Sequence, residues 1–307
     1  MSLTITSSSY KGEFSGKYIA ASLLAAKTID DGVVTVLPNI KHKSVMKVGA
    51  FSNLIKNSTC GFDQDSSGLT LTEKVLTVKE LQVNLDICTD TLVEDWEAAQ
   101  MGFSAFHELP PNFSDFVIAR VGAEVASATE TAIWSGTDSD GSFAGLKAQI
   151  QSDGNRTLVS ATDITSSNVV AEMAKVVDAI PSSIYGNEDL YIYCASNVFR
   201  AYVRALGGFG ANGVGANGVE NLGNTFYQGG ALSFDGVKLY PTSGMGSNEM
   251  IAARSSNLFF GTSLLSDYQE VRTLNMAEID GSQNYRIIMR YTAGTQIGVG
   301  SDIVIYT

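Results

Sequence analysis

The 307-residue sequence predicts an α+β fold. Three observations predict it. Residues 113–134 keep a helical period without a break. Residues 40–88 alternate like the limbs of a hairpin. The last third is a series of short apolar runs separated by turn residues. A chain of this length is at the edge of what a single hydrophobic core supports, so one large or two smaller domains are expected.

Residues 1–17 are rich in Ser, Thr and Gly and read as an extended arm. Tyr18 to Ile29 is a short helix that ends at Asp31-Gly32, and Val33 to Leu37 is a strand that stops at Pro38. Lys43 to Val48 alternates. A polar turn region at 57–68 follows, Leu69 to Val78 alternates back, and Leu81 to Ile87 continues the pattern. This predicts a hairpin buried on one side only, with a Val/Leu face for burial and Lys and Thr on the other. A long hairpin is unstable alone in water, so a sheet, a helix or a neighbouring subunit must lie beneath it.

Thr91 to Trp96 opens a helix, with Thr91 and Glu94 in capping-box spacing. In the long helix, Val117, Val121, Val125, Ala128 and Ala132 recur at spacings of 4, 4, 3 and 4 and define one face, and Arg120 and Glu124 can pair on another. Ser114 or Asp115 is the expected N-cap after Pro110-Pro111, and Gly136 the expected stop after Ile133-Trp134. Such a helix is about 33 Å long at ~1.5 Å per residue, a length suited to a strut. After a polar loop at 137–142, a second amphipathic helix at 166–180 carries the stripe Val169, Val170, Met173, Val176 and Val177 and is stopped by Pro181. Tyr185-Gly186-Asn187 turns the chain into a central strand, Asp189 to Cys194, and Ser196 caps a helix from Asn197 to Leu206. Residues 207–224 contain Gly-Ala-Asn-Gly-Val twice in tandem and form a loop in which many positions tolerate φ > 0. Strands are expected at 234–240, 250–253, 258–261, 271–274, 285–291 and 303–306.

Hydrophobic residues make up 44% and charged residues 17%, a low charge content that fits burial of surface against other copies of the chain. The net charge of −12 argues against general nucleic-acid binding. It is unevenly placed: residues 1–60 hold seven Lys against Glu13, Asp30 and Asp31, a net of +4, and the remainder a net of −16. Opposite charge on two parts of one chain helps copies find each other. The three cysteines, Cys60, Cys88 and Cys194, lack metal-site spacing and read as reduced thiols of a cytoplasmic protein. The first residues show no basic region followed by an apolar run, and no run of roughly 18 apolar residues exists, so no membrane partner is expected.

No motif carries catalysis. Gly208 to Gly213 matches GxGxxG but follows a helix and precedes more glycine, the wrong context for phosphate. Asp138-Ser139-Asp140-Gly141 has its glycine misplaced for a calcium loop, and Gln149 stands where that loop needs Glu. His42 and His107 lie in no nucleophile or metal motif. The expectation is no enzyme and no cofactor.

In order along the chain, these elements resemble the major capsid proteins of tailed phages, with the Hong Kong 97-type fold. The arm followed by a lysine-bearing hairpin is similar to that family's N-terminal arm and extended loop. The helix ending ETAIWSGTDSDGSFAGL resembles its spine helix. The segment NVVAEMAKVVDAIPSSIYGNEDLYIYCASNVFRAYVRAL resembles its axial domain, and FDGVKLYPTSGM with ARSSNLFFGTSLLSDYQEVR the return toward its peripheral domain. The resemblance implies an arm and first strand at 1–39, an extended loop at 40–80, a peripheral domain at 81–165 and 270–307 with its spine at 113–135, and an axial domain at 166–269.

It further implies a shell protein of the virion that assembles in the host cytoplasm into pentamers and hexamers. Its partners would be other copies of itself, a separate scaffolding protein, a portal, and packaged double-stranded DNA held without sequence-specific contact. The scaffolding protein is expected to be separate because the chain starts at Met1 with no long helical extension before the arm. The acidic balance suits an inner wall facing DNA. The expected assembly contacts are Lys43, Val45, Lys47, Leu71, Lys74 and Val78 in the hairpin, and Gly208, Gly210, Gly213, Gly215 and Gly218 in a loop near the symmetry axes. Some family members cross-link their subunits covalently, and no motif here carries that chemistry. The alternatives are an encapsulin-type compartment shell, which genomic neighbours would distinguish, and an acidic hydrolase or binding domain, which would be monomeric.

Overall fold

The computed structural model describes residues 27–50, 57, 60, 70–88, 111–206, 232–263, 272–276 and 279–307. The expected arm, the Thr91 helix start, most of the 18–29 helix, most of the 57–68 turn, His107 and the glycine loop lie outside them.

Helix α1 (Lys27–Asp30) ends in a turn with Gly32 at φ 65°, and β1 (Thr35–Leu37) follows. Among the described residues, strands β2 (Lys43–Ala50) and β3 (Thr70–Thr77) pair only with each other. Beyond Val78 the chain leaves this hairpin as β4 (Lys79–Cys88). Helix α2 (Pro111–Ser135) is 25 residues long. It begins earlier than expected. Pro111 is its first residue, a position where the missing N–H costs nothing, so Ser114 and Asp115 lie inside the helix rather than capping it. Its buried face also departs from expectation: Val125 and Ala132 are buried, but Ala128 is exposed, and Thr129 and Glu130 take buried positions beside Ile133 and Trp134.

Gly136 ends α2, its N–H donating to the Ala132 carbonyl, and close packing requires glycine there: a Cβ would strike the Phe143 carbonyl oxygen. Two short elements, α3 (Leu146–Ser152) and β5 (Thr157–Val159), have no counterpart among the expected elements. Helix α4 (Val169–Asp178) buries Val169, Met173, Val176 and Val177, but Val170 is exposed and Glu172 is buried. Then come β6 (Leu190–Ala195) and α5 (Ser196–Leu206). The strand expected at 234–240 is a hairpin, β7 (Ser233–Phe234) and β8 (Val237–Thr242), broken at Asp235-Gly236. Both turn residues have positive φ, 45° and 80°, which is the geometry a two-residue hairpin requires. The remaining strands are β9 (Met250–Arg254), β10 (Leu258–Gly261), β11 (Arg272–Asn275), β12 (Asn284–Ile297) and β13 (Val304–Tyr306).

Two sheets result. In one, β12 is the spine: residues 284–293 pair antiparallel with β4, 285–288 also with β11, and 294–297 with β10, to which β1 adds in parallel. The other has the order β5-β13-β9-β6-β8-β7, with β6 internal as expected. β5 and β13 join the sheet of β6, and β10 joins the sheet of β12. α4 and α5 cover one face of the six-stranded sheet. A second core unites both sheets with α2 and α3 through Trp134, Ile133, Phe143, Leu146, Tyr193, Phe260 and Ile305. Burial of these large apolar side chains is the main favourable contribution to folding.

The hairpin crosses the β10–β12 pair at its neck. Gly261 and Gly294 are direct partners in that pair. A Cβ on Gly294 would strike the Thr77 backbone, and one on Gly261 would strike the end of the Leu76 side chain. Gly294→Ala should therefore cost about 1–3 kcal/mol by overpacking against backbone, and Gly261→Ala less, because a leucine methyl can yield. Urea unfolding of both variants checks this; equal or reversed costs would contradict it.

Candidate functional site

The β2–β3 register places Lys43 opposite Thr77, Val45 opposite Val75, Lys47 opposite Glu73 and Gly49 opposite Leu71. All of these share one face, because side chains alternate along a strand. The opposite face carries Ser44, Met46 and Val48 across from Leu76, Lys74 and Thr72. The expected separation of a Val/Leu face from a Lys/Thr face does not occur, because Lys43, Val45 and Lys47 are two residues apart and share a face.

The outer face is open. Val45 is 52% exposed, Leu71 57% and Val75 40%, and Lys43 and Lys47 are exposed beside them. Val45 and Val75 form a cross-strand β-branched pair, and Lys47 and Glu73 a pair of opposite charge, both stabilising in a two-stranded ribbon. Val45 and Val75 adjoin each other, and Leu71 lies further along the ladder beyond the Lys47–Glu73 pair, so apolar and charged side chains alternate along this exposed face. Val75 was missed in the sequence, although its two-residue spacing from Leu71 through Glu73 places it on this face.

The inner face is bound to the body. Leu76 and Val78 are buried with Ile40, Leu37, Met46 and Phe259 around them. Val78, expected as an outward contact, thus packs within its own subunit, and its N–H donates to the His42 carbonyl at 3.0 Å. Lys74 also points inward, where its Nζ meets Asp153 Oδ2 at 2.7 Å. Gly208, Gly210, Gly213, Gly215 and Gly218 lie outside the described residues. Lys79, just past the neck, donates to the carbonyl oxygens of Ser139 and Ser142 at 2.7 and 2.9 Å. An ammonium group therefore already occupies the carbonyls of the loop that loosely matched a calcium site.

The N-terminal segment is fastened to α2 by a buried carboxylate. Glu130, 1% exposed, accepts from the Thr28 N–H at 3.2 Å and from Thr28 Oγ1 at 2.5 Å, and Trp134 Nε1 donates to Thr28 Oγ1 at 2.9 Å. Burial raises the Glu130 carboxyl above its ordinary value, against the lowering effect of the Thr28 hydrogen bonds. Among the described residues no group of three or more His, Cys, Asp or Glu side chains can hold a metal ion, and no helix is long and apolar enough to cross a membrane. Cys194 is buried, and burial pushes its thiol up to about 12, so it is protonated and unreactive.

The folded chain holds the Glu130 proton more tightly than the unfolded chain. Its contribution to stability is therefore fully present below its ordinary value of 4.5 and is lost as pH rises through the folded value. Comparison with Glu130→Gln cancels all other titrations. The melting temperature of the variant relative to the parent should climb with pH, and a pH-independent difference would contradict the assignment.

No sequence-family model matches the chain, and no curated protein matches it by sequence. Its structure is similar to that of several solved particles. One is the capsid of a native GTA particle computed with C5 symmetry, at 11% identity and TM-score 0.62, over 96% of this chain and 94% of that one. A chain of Mycobacterium phage Adephagia matches at 13% identity and TM-score 0.62, over 97% and 94%. The capsid of the Myoviridae phage XM1 matches at 13% identity and TM-score 0.54, over 99% and 96%. The protein has the fold of phage capsid proteins over nearly its whole length.

Proposed function

We propose that this chain is the major capsid protein of a tailed phage, with the Hong Kong 97-type arrangement of parts. It self-assembles into pentamers and hexamers that close an icosahedral shell around the DNA genome. The observation that carries this reading is the likeness to capsid chains over at least 94% of both partners in the comparisons above. The function is mechanical. The long helix α2 is the strut, the β2–β3 hairpin lies across a neighbouring subunit, and the six-stranded sheet with α4 and α5 faces the symmetry axes. Scaffolding protein, portal and packaged DNA are its partners, and the virion is its place.

The hairpin supports the reading physically. Its outer face offers Val45 and Val75 side by side and Leu71 beyond the Lys47–Glu73 pair, exposed apolar side chains interleaved with charge and available to a neighbour. Within this reading Lys74 and Val78 fix the neck of the hairpin and the outer residues meet the neighbour.

Two tests follow. Negative-stain micrographs of the purified chain, alone and with its scaffolding protein, should show closed shells, tubes or capsomer rings. Small dispersed particles in both fields would contradict the proposal. The double variant Val45→Asp, Leu71→Asp should keep the parent melting temperature and lose assembly, because each charge would be buried unpaired at the contact. Normal assembly of that variant would show that this face is not the contact.

A further inference from the structure

Among the described residues β2 pairs with no strand but β3 and joins the body's apolar packing through Met46, while β3 carries the hairpin's hydrogen-bonded attachments to the body. Three attachments follow one another up that strand. Leu76 rests over Gly261. Gln296 Nε2 donates to the Val75 carbonyl at 2.7 Å. Lys74 Nζ reaches Asp153 Oδ2 at 2.7 Å. Among the described residues, Lys74 is the last residue of β3 toward the tip whose side chain bonds to the body. The hydroxyl of Thr72, beyond it, bonds only within the hairpin, to the Val48 carbonyl.

The two partners differ in mobility. Asp153 follows the last turn of α3 and is held at three points. Its carboxylate accepts the Asn155 N–H at 2.9 Å, its backbone carbonyl accepts from Arg156 Nη1 at 2.8 Å, and Gly300 packs so closely that a Cβ there would meet the carboxylate. The Asp153 side chain is 6% exposed and that of Lys74 31%. Lys74 holds the Asp153 carboxyl below its usual range, with the Asn155 hydrogen bond adding to this. The acceptor is thus pre-set and buried, and the donor is a flexible side chain that water and another protein surface can reach.

We propose that the Lys74–Asp153 ion pair is an orientation lock: it pins the distal hairpin to α3 in the free subunit and sets the direction in which the outer face is presented. Lys74 and Asp153 are positioning residues, and the outer face makes the contact. A neighbour that offers its own acceptor to Lys74 would open the lock and free the hairpin to follow a different curvature. This last step rests on the capsid reading; the lock itself does not.

The test uses the full chain as unassembled subunits and reads amide hydrogen exchange peptide by peptide. Lys74→Gln and Asp153→Asn should each speed exchange in residues 43–50 and 70–77 by about tenfold, with β6 and β12 unchanged. The double variant should add little to either single one, because both remove one interaction. Lys74→Arg should restore slow exchange. Unchanged hairpin exchange in Lys74→Gln would overturn the lock, and so would equal acceleration in β6 and β12, which would mark a general loss of stability. Absence of shells from the parent chain would count against the capsid reading and leave the exchange result decisive for the lock.

Discussion

The hairpin can cross the main sheet closely because two facing positions in that sheet lack side chains. Gly261 and Gly294 face each other across β10 and β12, and the Leu76–Val78 segment lies in the slot they leave. Everything distal depends on that crossing. It brings Leu76 and Val78 into contact with Ile40 and Phe259 and directs Lys74 toward α3. It also turns the face of Val45 and Val75 away from the body. A hairpin of this length has no independent stability in water, so its neck must be fixed by packing if its outer face is to remain free.

The second constraint is the C-terminal half of α2. Trp134 lies 4.9 Å from the Tyr193 ring of the six-stranded sheet, and Tyr193 donates its hydroxyl to the Val33 carbonyl ahead of β1. Glu130, one turn earlier, holds Thr28. Gly244 packs so tightly that a Cβ there would strike the Glu130 carbonyl, while Ser135 donates to the Gly244 carbonyl at 2.6 Å. One helix end therefore ties the N-terminal segment, the six-stranded sheet and the loop after β8 into a single core. A strut works mechanically only if its ends are fixed, and this end is fixed by close packing and buried hydrogen bonds together.

Much of this was legible in the sequence and some was not, for identifiable reasons. The long helix, the hairpin limbs and most later strands follow from period alone. The start of α2 was misplaced because Pro111 was read as excluded from a helix, whereas the first position accepts it. The two-faced hairpin was misread because sequence alternation was noted without asking which residues share parity; Lys43, Val45 and Lys47 do. Glu130 and Glu172 are buried acidic residues that no helical pattern marks as such. Their burial depends on partners 102 and 134 positions away, Thr28 and Tyr306, which no local pattern encodes. The short β5 shows no alternation of its own and exists because β13 pairs with it. Which sheet β10 and β13 join is set by pairings between strands far apart in the chain, which no local pattern encodes. The pairing of Gly261 with Gly294 was beyond reach, since each is an isolated glycine until the register is known.

On the proposed capsid reading, the hairpin is fixed at its neck and its outer face is completed by another subunit. A reconstruction of the assembled particle at side-chain resolution tests this most directly. The account predicts that Val45, Leu71 and Val75 are covered by a neighbouring copy while the neck, Leu76 over Gly261, keeps the packing it has in the single chain. An assembled particle in which that outer face remains open to solvent would contradict it.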